Sequence, residues 1–118
     1  FAWWQGDKDR YNEGHAAMYE KNLGSLLNAL RKEFNAPKAK MVVATLGQTD
    51  KDNTKGNEKL IIDGMFAFAA AHKGEAATVY THPLSKGGAS NSHYGGNAKT
   101  YMNVGLAMGQ AMVDLLKN

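Results

Sequence analysis

The chain has 118 residues, a formal net charge of +3 and a pI near 9.1, with 43% hydrophobic residues and no cysteine. That length suits one domain, and the composition argues for a packed core rather than disorder. Without cysteine, disulfides and thiol catalysis are excluded. The charges are dispersed, with no block of five or six of one sign, so no nucleic-acid patch is indicated.

The chain opens on Phe1-Ala-Trp-Trp-Gln-Gly-Asp-Lys-Asp9. Residues 1–5 read as a strand, because Trp and Phe favour strands and Gly6 breaks the run. The start at Phe, inside an apolar run, suggests that something upstream has been removed. Residues 6–14 read as a polar loop. From His15 to Phe34, Tyr19, Leu23, Leu26, Leu27, Leu30 and Phe34 recur at helical spacing and define one face. Asn35 and Pro37 end that helix.

Lys40-Met-Val-Val-Ala-Thr-Leu-Gly47 is a continuous apolar run, as expected of a strand buried on both faces of a parallel sheet. Residues 48–57 form a polar loop. Residues 58–73 read as a helix with Ile61, Met65, Phe68, Ala69 and His72 in phase. Residues 77–81 read as a third strand, and 82–97 as a long loop rich in Gly, Ser and Asn. Residues 98–117 form the last helix, with Tyr101, Val104, Met108, Met112 and Leu115 facing inward and Ala111 alongside.

The order β-α-β-α-β-α implies a parallel sheet with right-handed crossovers. Three strands leave two open edges, which points to a portion of a larger sheet. No run of about 18 apolar residues exists to span a membrane, and no secretory signal is visible. Neither nucleic acid nor membrane is expected as a partner.

All three loops follow strands, and in open α/β sheets ligands sit at the carboxyl ends of strands. That end collects Gln5, Gly6, Asp7 and Asp9, then Gln48, Thr49, Asp50 and Asp52, then His82, Ser85, Ser90, Asn91, Ser92 and His93. An acid there can orient a histidine, which is the base half of a serine-hydrolase triad. A Gln amide and a Gly backbone N–H are donors suited to an oxyanion hole. No Gly-x-Ser-x-Gly elbow is present, and Ser85, Ser90 and Ser92 lie too close to His93 in sequence for a conventional nucleophile–base pair.

Trp3 and Trp4 read chiefly as packing residues, although alternation allows one of them to line an acyl pocket. His15, His72 and His82 read as structural or solvated. The run from Asp50 to Ile61 fails as a calcium loop, because Lys55 stands where Gly is needed and Ile61 where Glu is needed. No zinc-ligand spacing exists, so no metal is expected. Gly87-Gly88 lacks the helix start of a phosphate-binding loop. No cofactor is expected.

Trp-Trp-Gln-Gly-Asp-x-Asp at 3–9 resembles the Trp/His-Gln-Gly-Glu-x-Asp block of SGNH/GDSL-type carbohydrate esterases, in the branch of sialate O-acetylesterases and acetylxylan esterases. The Val-Val-Ala-Thr-Leu-Gly strand and the Ser-His-Tyr-Gly-Gly-Asn-Ala-x-x-Tyr run at 92–101 follow in the family's order. The resemblance covers the whole chain but only the carboxyl-terminal half of the family's domain. It implies a three-layer α/β/α fold with a parallel, flavodoxin-like sheet, here incomplete and forming a single domain over residues 1–118.

The resemblance also implies an ester hydrolase that removes acetyl groups from carbohydrate, secreted or periplasmic, with His93 as catalytic base. Gln5 and Gly6 match the oxyanion and substrate-positioning block. Asp7 stands where the family has Glu and is the candidate acid, since the position three before His93 is Ser90. The family's nucleophilic Ser lies in an amino-terminal block not found here, so an amino-terminal half or second chain is expected to complete the sheet. The alternative is a non-catalytic α/β interaction module.

Overall fold

A computed structural model describes residues 1–117. Its seven main elements are β1 (Ala2–Trp3), α1 (Glu13–Ala17), α2 (Tyr19–Glu33), β2 (Met41–Ala44), α3 (Gly56–Ala71), β3 (Ala76–Val79) and α4 (Ala98–Leu116). The sheet is parallel in the order β1-β2-β3, with Ala2 beside Val42 and Met41 beside Ala76. This is an α/β fold, as the alternation of elements predicts.

β2 is central, and all four of its residues are buried. Strand side chains alternate between faces. Met41 and Val43 join Leu23 and Leu27 of α2 and Met65 and Phe68 of α3 in the main core. Val42 and Ala44, equally buried, point to the opposite face, where α4 packs against β2 and β3. One face of the sheet therefore carries α2 and α3, and the other carries α4.

Several boundaries differ from the sequence reading. The first strand is two residues rather than five, because the chain turns at Gly6, whose φ is +145°. The first helix begins at Glu13, with the Asn12 side chain accepting from the His15 N–H (3.0 Å), and it breaks at Met18. There the backbone N–H turns back to the His15 carbonyl (3.2 Å) before α2 starts. Phe34 caps α2 and is exposed, not part of its buried face. The long third loop contains a 3-10 turn at His82–Leu84 and a segment Ser90–Gly96 whose short turns are broken by a kink at His93, Tyr94 and Gly95. Tyr101 lies outside the buried face of α4, which keeps only Thr100, Val104 and Leu115 fully covered.

Tyr19 joins the core to the first loop. Its hydroxyl donates to the Gln5 carbonyl and accepts from Trp3 Nε1 at 3.3 Å. Burial, above all, pushes the phenol up to about 12. An acid whose folded pKa exceeds its unfolded value of about 10 favours folding only while protonated. Its contribution is complete below pH 10 and disappears as the pH rises through 12. We expect the wild type to lose about 2–3 kcal/mol across that window through this group. Tyr19→Phe should lack that component in chemical unfolding at pH 9 and pH 12. Parallel pH dependences for the two proteins would refute it.

Candidate functional site

The chain just beyond β2 and the chain just beyond β3 are stitched together at the carboxyl end of the sheet. Thr81 Oγ1 donates to the Thr45 carbonyl at 2.6 Å, and the Thr81 N–H donates to Thr45 Oγ1 at 3.0 Å. Both threonines are buried, so these bonds satisfy groups that water cannot reach. The His82 ring contacts the Gly47 carbonyl through Nδ1 at 2.8 Å, which gives this histidine a structural role.

Above this base lies a cleft of about 490 Å³. Gln5, Gly6 and Asp7 line it from the first loop, and Ser90, His93 and Tyr94 from the third. The two ends of the chain thus converge on one cavity, as the strand-end rule requires. His93 is exposed, and no hydrogen bond joins its ring to Asp7 or to any other described residue.

Asp7 has different neighbours. Its Oδ1 accepts from Ser90 Oγ at 2.7 Å and from Arg10 Nε at 2.9 Å. Ser90, three residues before His93, therefore holds a carboxylate that comes from 83 positions earlier in the chain. Arg10 also reaches Glu58 at 3.1 Å, and Glu58 accepts from Thr49 Oγ1 at 3.0 Å. Loop one, loop two and the first turn of α3 are joined through these charges.

Gln5 lines the cleft, but its amide is partly committed. Nε2 donates to Asp9 at 2.8 Å, while Oε1 lies 3.2 Å from the Tyr19 hydroxyl. One of the two amide hydrogens is left for another acceptor. Gly6 is buried, and a Cβ there would press on Ile61, Met65 and the Tyr19 hydroxyl at 3.3–3.4 Å. The turn at Gly6 lets the chain leave the sheet and enter the cleft wall at once.

The structure reveals an organising residue that the sequence did not single out. His93, Tyr94 and Gly95 are three consecutive left-handed residues, with φ of 52°, 51° and 60°. Two of these lack the freedom of glycine, so surrounding contacts must hold them. Tyr94 is buried and stacks on Trp4 with ring centroids 5.3 Å apart. Its hydroxyl accepts from the Gly47 N–H at 3.1 Å, and Tyr101 meets its ring edge-on. Tyr101 also donates to the His93 carbonyl at 3.0 Å. Gly87 completes the support, because a Cβ there would fall on the Tyr94 carbonyl oxygen. Burial raises the Tyr94 phenol above its ordinary range, so it remains a neutral hydroxyl.

The tryptophans divide as alternation predicts. Trp3 packs against the main core, whereas Trp4 forms the aromatic floor of the cleft and anchors Nε1 on the Thr45 carbonyl at 3.0 Å.

The three serines of the last loop are all engaged. Ser85 donates to the Thr81 carbonyl at 2.9 Å, Ser92 to the Ala89 carbonyl at 2.8 Å, and Ser90 to Asp7. None of these hydroxyls is bonded to His93.

A family model described as carbohydrate esterase, sialic acid-specific acetylesterase, matches residues 1–114. The chain belongs to this carbohydrate esterase family. Comparisons with curated proteins and with solved structures give no match. Membership accounts for the α/β sheet and suggests carbohydrate acetylesterase activity. The blocks 3–9 and 92–101, far apart in sequence, contribute residues to opposite walls of the same cavity.

Proposed function

We propose that this chain supplies the base, acid and oxyanion side of a carbohydrate O-deacetylation site, and that the nucleophilic serine comes from outside these residues. The observation that carries the reading is the shared cleft, in which the His93 ring makes no hydrogen bond among the described residues while Gly6 and Asp7 face the same space. A serine placed against His93 would lose its proton to the imidazole as its oxygen attacks the acetyl carbon. The carbonyl electrons move onto the oxygen, where the Gly6 N–H and the remaining Gln5 amide hydrogen stabilise the charge. Collapse expels the sugar hydroxyl, which takes the proton from the imidazolium. Water then repeats the sequence on the acyl-enzyme and releases acetate.

Asp7 is the acid in this scheme. Its bond to His93 is open in the free chain, and such contacts commonly tighten only with substrate bound.

The segment that donates the serine would complete the sheet beside β1. A second surface that such a segment could cover is the outer side of α4, which exposes Met102 and Leu106 at 66% and 67% around a groove of about 470 Å³ that also contains Gly105 and Gly109. Exposed apolar surface of this kind marks interaction sites.

Turnover of p-nitrophenyl acetate and of an O-acetylated sialic acid tests the proposal. This chain alone should be inactive, and adding a family amino-terminal half should restore turnover. Robust activity of the chain alone, abolished by Ser85→Ala, Ser90→Ala or Ser92→Ala, would overturn it. A non-catalytic module would use the same α4 surface. It would show association in sedimentation without turnover in either mixture.

A further inference from the structure

We infer that Gln48 is the positioning residue for the loop that carries His93. Gln48 lies just beyond β2, between the first and third loops. Its Oε1 accepts from the Ser90 N–H at 3.2 Å. Ser90 Oγ in turn donates to Asp7, Arg10 bridges Asp7 to Glu58, and Glu58 accepts from Thr49, the residue after Gln48. These bonds close a ring through all three strand-end loops and the first turn of α3. A closed ring resists displacement of any one member more than an open chain of bonds does, because moving one loop strains contacts to both others.

Gln48 is the link of that ring to the backbone of the third loop. The Ser90 N–H opens the kinked segment Ser90–Gly96, which contains the left-handed His93 and Tyr94. Fixing that amide sets where the turn begins, three residues before the imidazole. The other end of the side chain is revealing. Gln48 Nε2 is buried and has no hydrogen-bond partner among the described residues. An unpaired buried donor is costly, and an apolar residue of similar length would fill the space without that cost. The acceptor end of the amide is therefore the feature that justifies a glutamine here.

The inference rests on reading His93 as the base, but its test does not need catalysis. Amide exchange and the His93 ring resonances are followed by NMR in this chain. Gln48→Met should accelerate exchange at Tyr94, whose N–H is bonded to the Ala89 carbonyl (3.1 Å), by at least tenfold. It should also displace the His93 ring signals, while exchange in β2 and α3 stays as in the wild type. Gln48→Glu, which retains an acceptor for the Ser90 N–H, should restore protection at Tyr94. If Gln48→Met does not fold, Gln48→Asn performs the same test, since its amide is one methylene too short to reach Ser90. Unchanged His93 signals and Tyr94 exchange would overturn the inference, as would acceleration spread equally over β2 and α3. If the loop loosens as expected but His93→Gln leaves assembled turnover intact, the positioning role stands and the esterase reading falls.

Discussion

His93→Gln is expected to reduce turnover by on the order of 10⁴-fold or more once the chain is paired with a segment that supplies the serine. Glutamine retains much of the size and polarity of the ring but cannot accept and return a proton near neutral pH. The loss should appear in kcat, with KM nearly unchanged, because the imidazole acts on the reacting oxygen rather than on the sugar. The substitution should leave the fold intact, since the ring is exposed and makes no hydrogen bond within the described chain. Tyr101 holds His93 through its backbone carbonyl, which the substitution preserves. Equal melting temperatures with a collapsed kcat would separate catalysis from structure. A loss below tenfold at unchanged stability would remove His93 from the base role and leave the cleft without one.

Asp7→Asn gives a contrasting pattern on the same assay. Asp7 accepts from both Ser90 and Arg10, so its loss should loosen loop one against loop three as well as alter catalysis. Arg10 would retain Glu58, and this limits the structural damage.

The parts of the molecule legible in the sequence are those governed by local pattern and by the ends of strands. Residues 41–44 announce a parallel strand because both faces are buried, which leaves no polar position within the run. The convergence of residues 5–7 with residue 93 follows from topology, since parallel strands deliver every following loop to one end. The face of α4 was legible except at Tyr101: Val104 and Leu115 are buried and Met108, Ala111 and Met112 half-buried, as the spacing predicts, whereas Tyr101 is exposed. That helix is apolar around much of its circumference, with Tyr101, Met102, Leu106 and Val113 exposed in addition to the buried Val104 and Leu115. Spacing alone could not place Tyr101, whose ring packs on Trp4 and Tyr94 at the cleft rather than in the core. Tyr94 escaped notice for another reason. Its role depends on a left-handed backbone that tyrosine rarely adopts, and only the packing of Trp4, Gly47 and Gly87 around it explains that conformation. The ring through Gln48 likewise joins residues from four separate segments, and no spacing rule connects them.

Gly47→Ala should be strongly destabilising, costing about 3 kcal/mol and lowering Tm by on the order of 10 °C. Gly47 is not among the left-handed glycines, so the cost is steric rather than conformational. A Cβ at this position would lie 2.6 Å from both Ser85 Cβ and Tyr94 Cε1. Neither neighbour can withdraw cheaply. Ser85 is held by the Thr81 carbonyl, and the Tyr94 ring is confined by Trp4 and Tyr101. Displacing Tyr94 would also weaken the bond from the Gly47 N–H to its hydroxyl, worth about 1 kcal/mol net. Against this, removing a glycine restricts the unfolded chain and returns only about 0.4–1 kcal/mol. Gly109→Ala is the control: a Cβ there meets nothing within 4 Å, and alanine should stabilise the exposed helix by up to about 1 kcal/mol. Opposite signs for the two glycine-to-alanine changes, read by thermal unfolding, are the expected result. A Gly47→Ala protein that melts with the wild type would mean that Tyr94 does not sit against the end of β2. The left-handed pair at 93 and 94 would then have lost its main support, and with it the placement of the imidazole in the cleft.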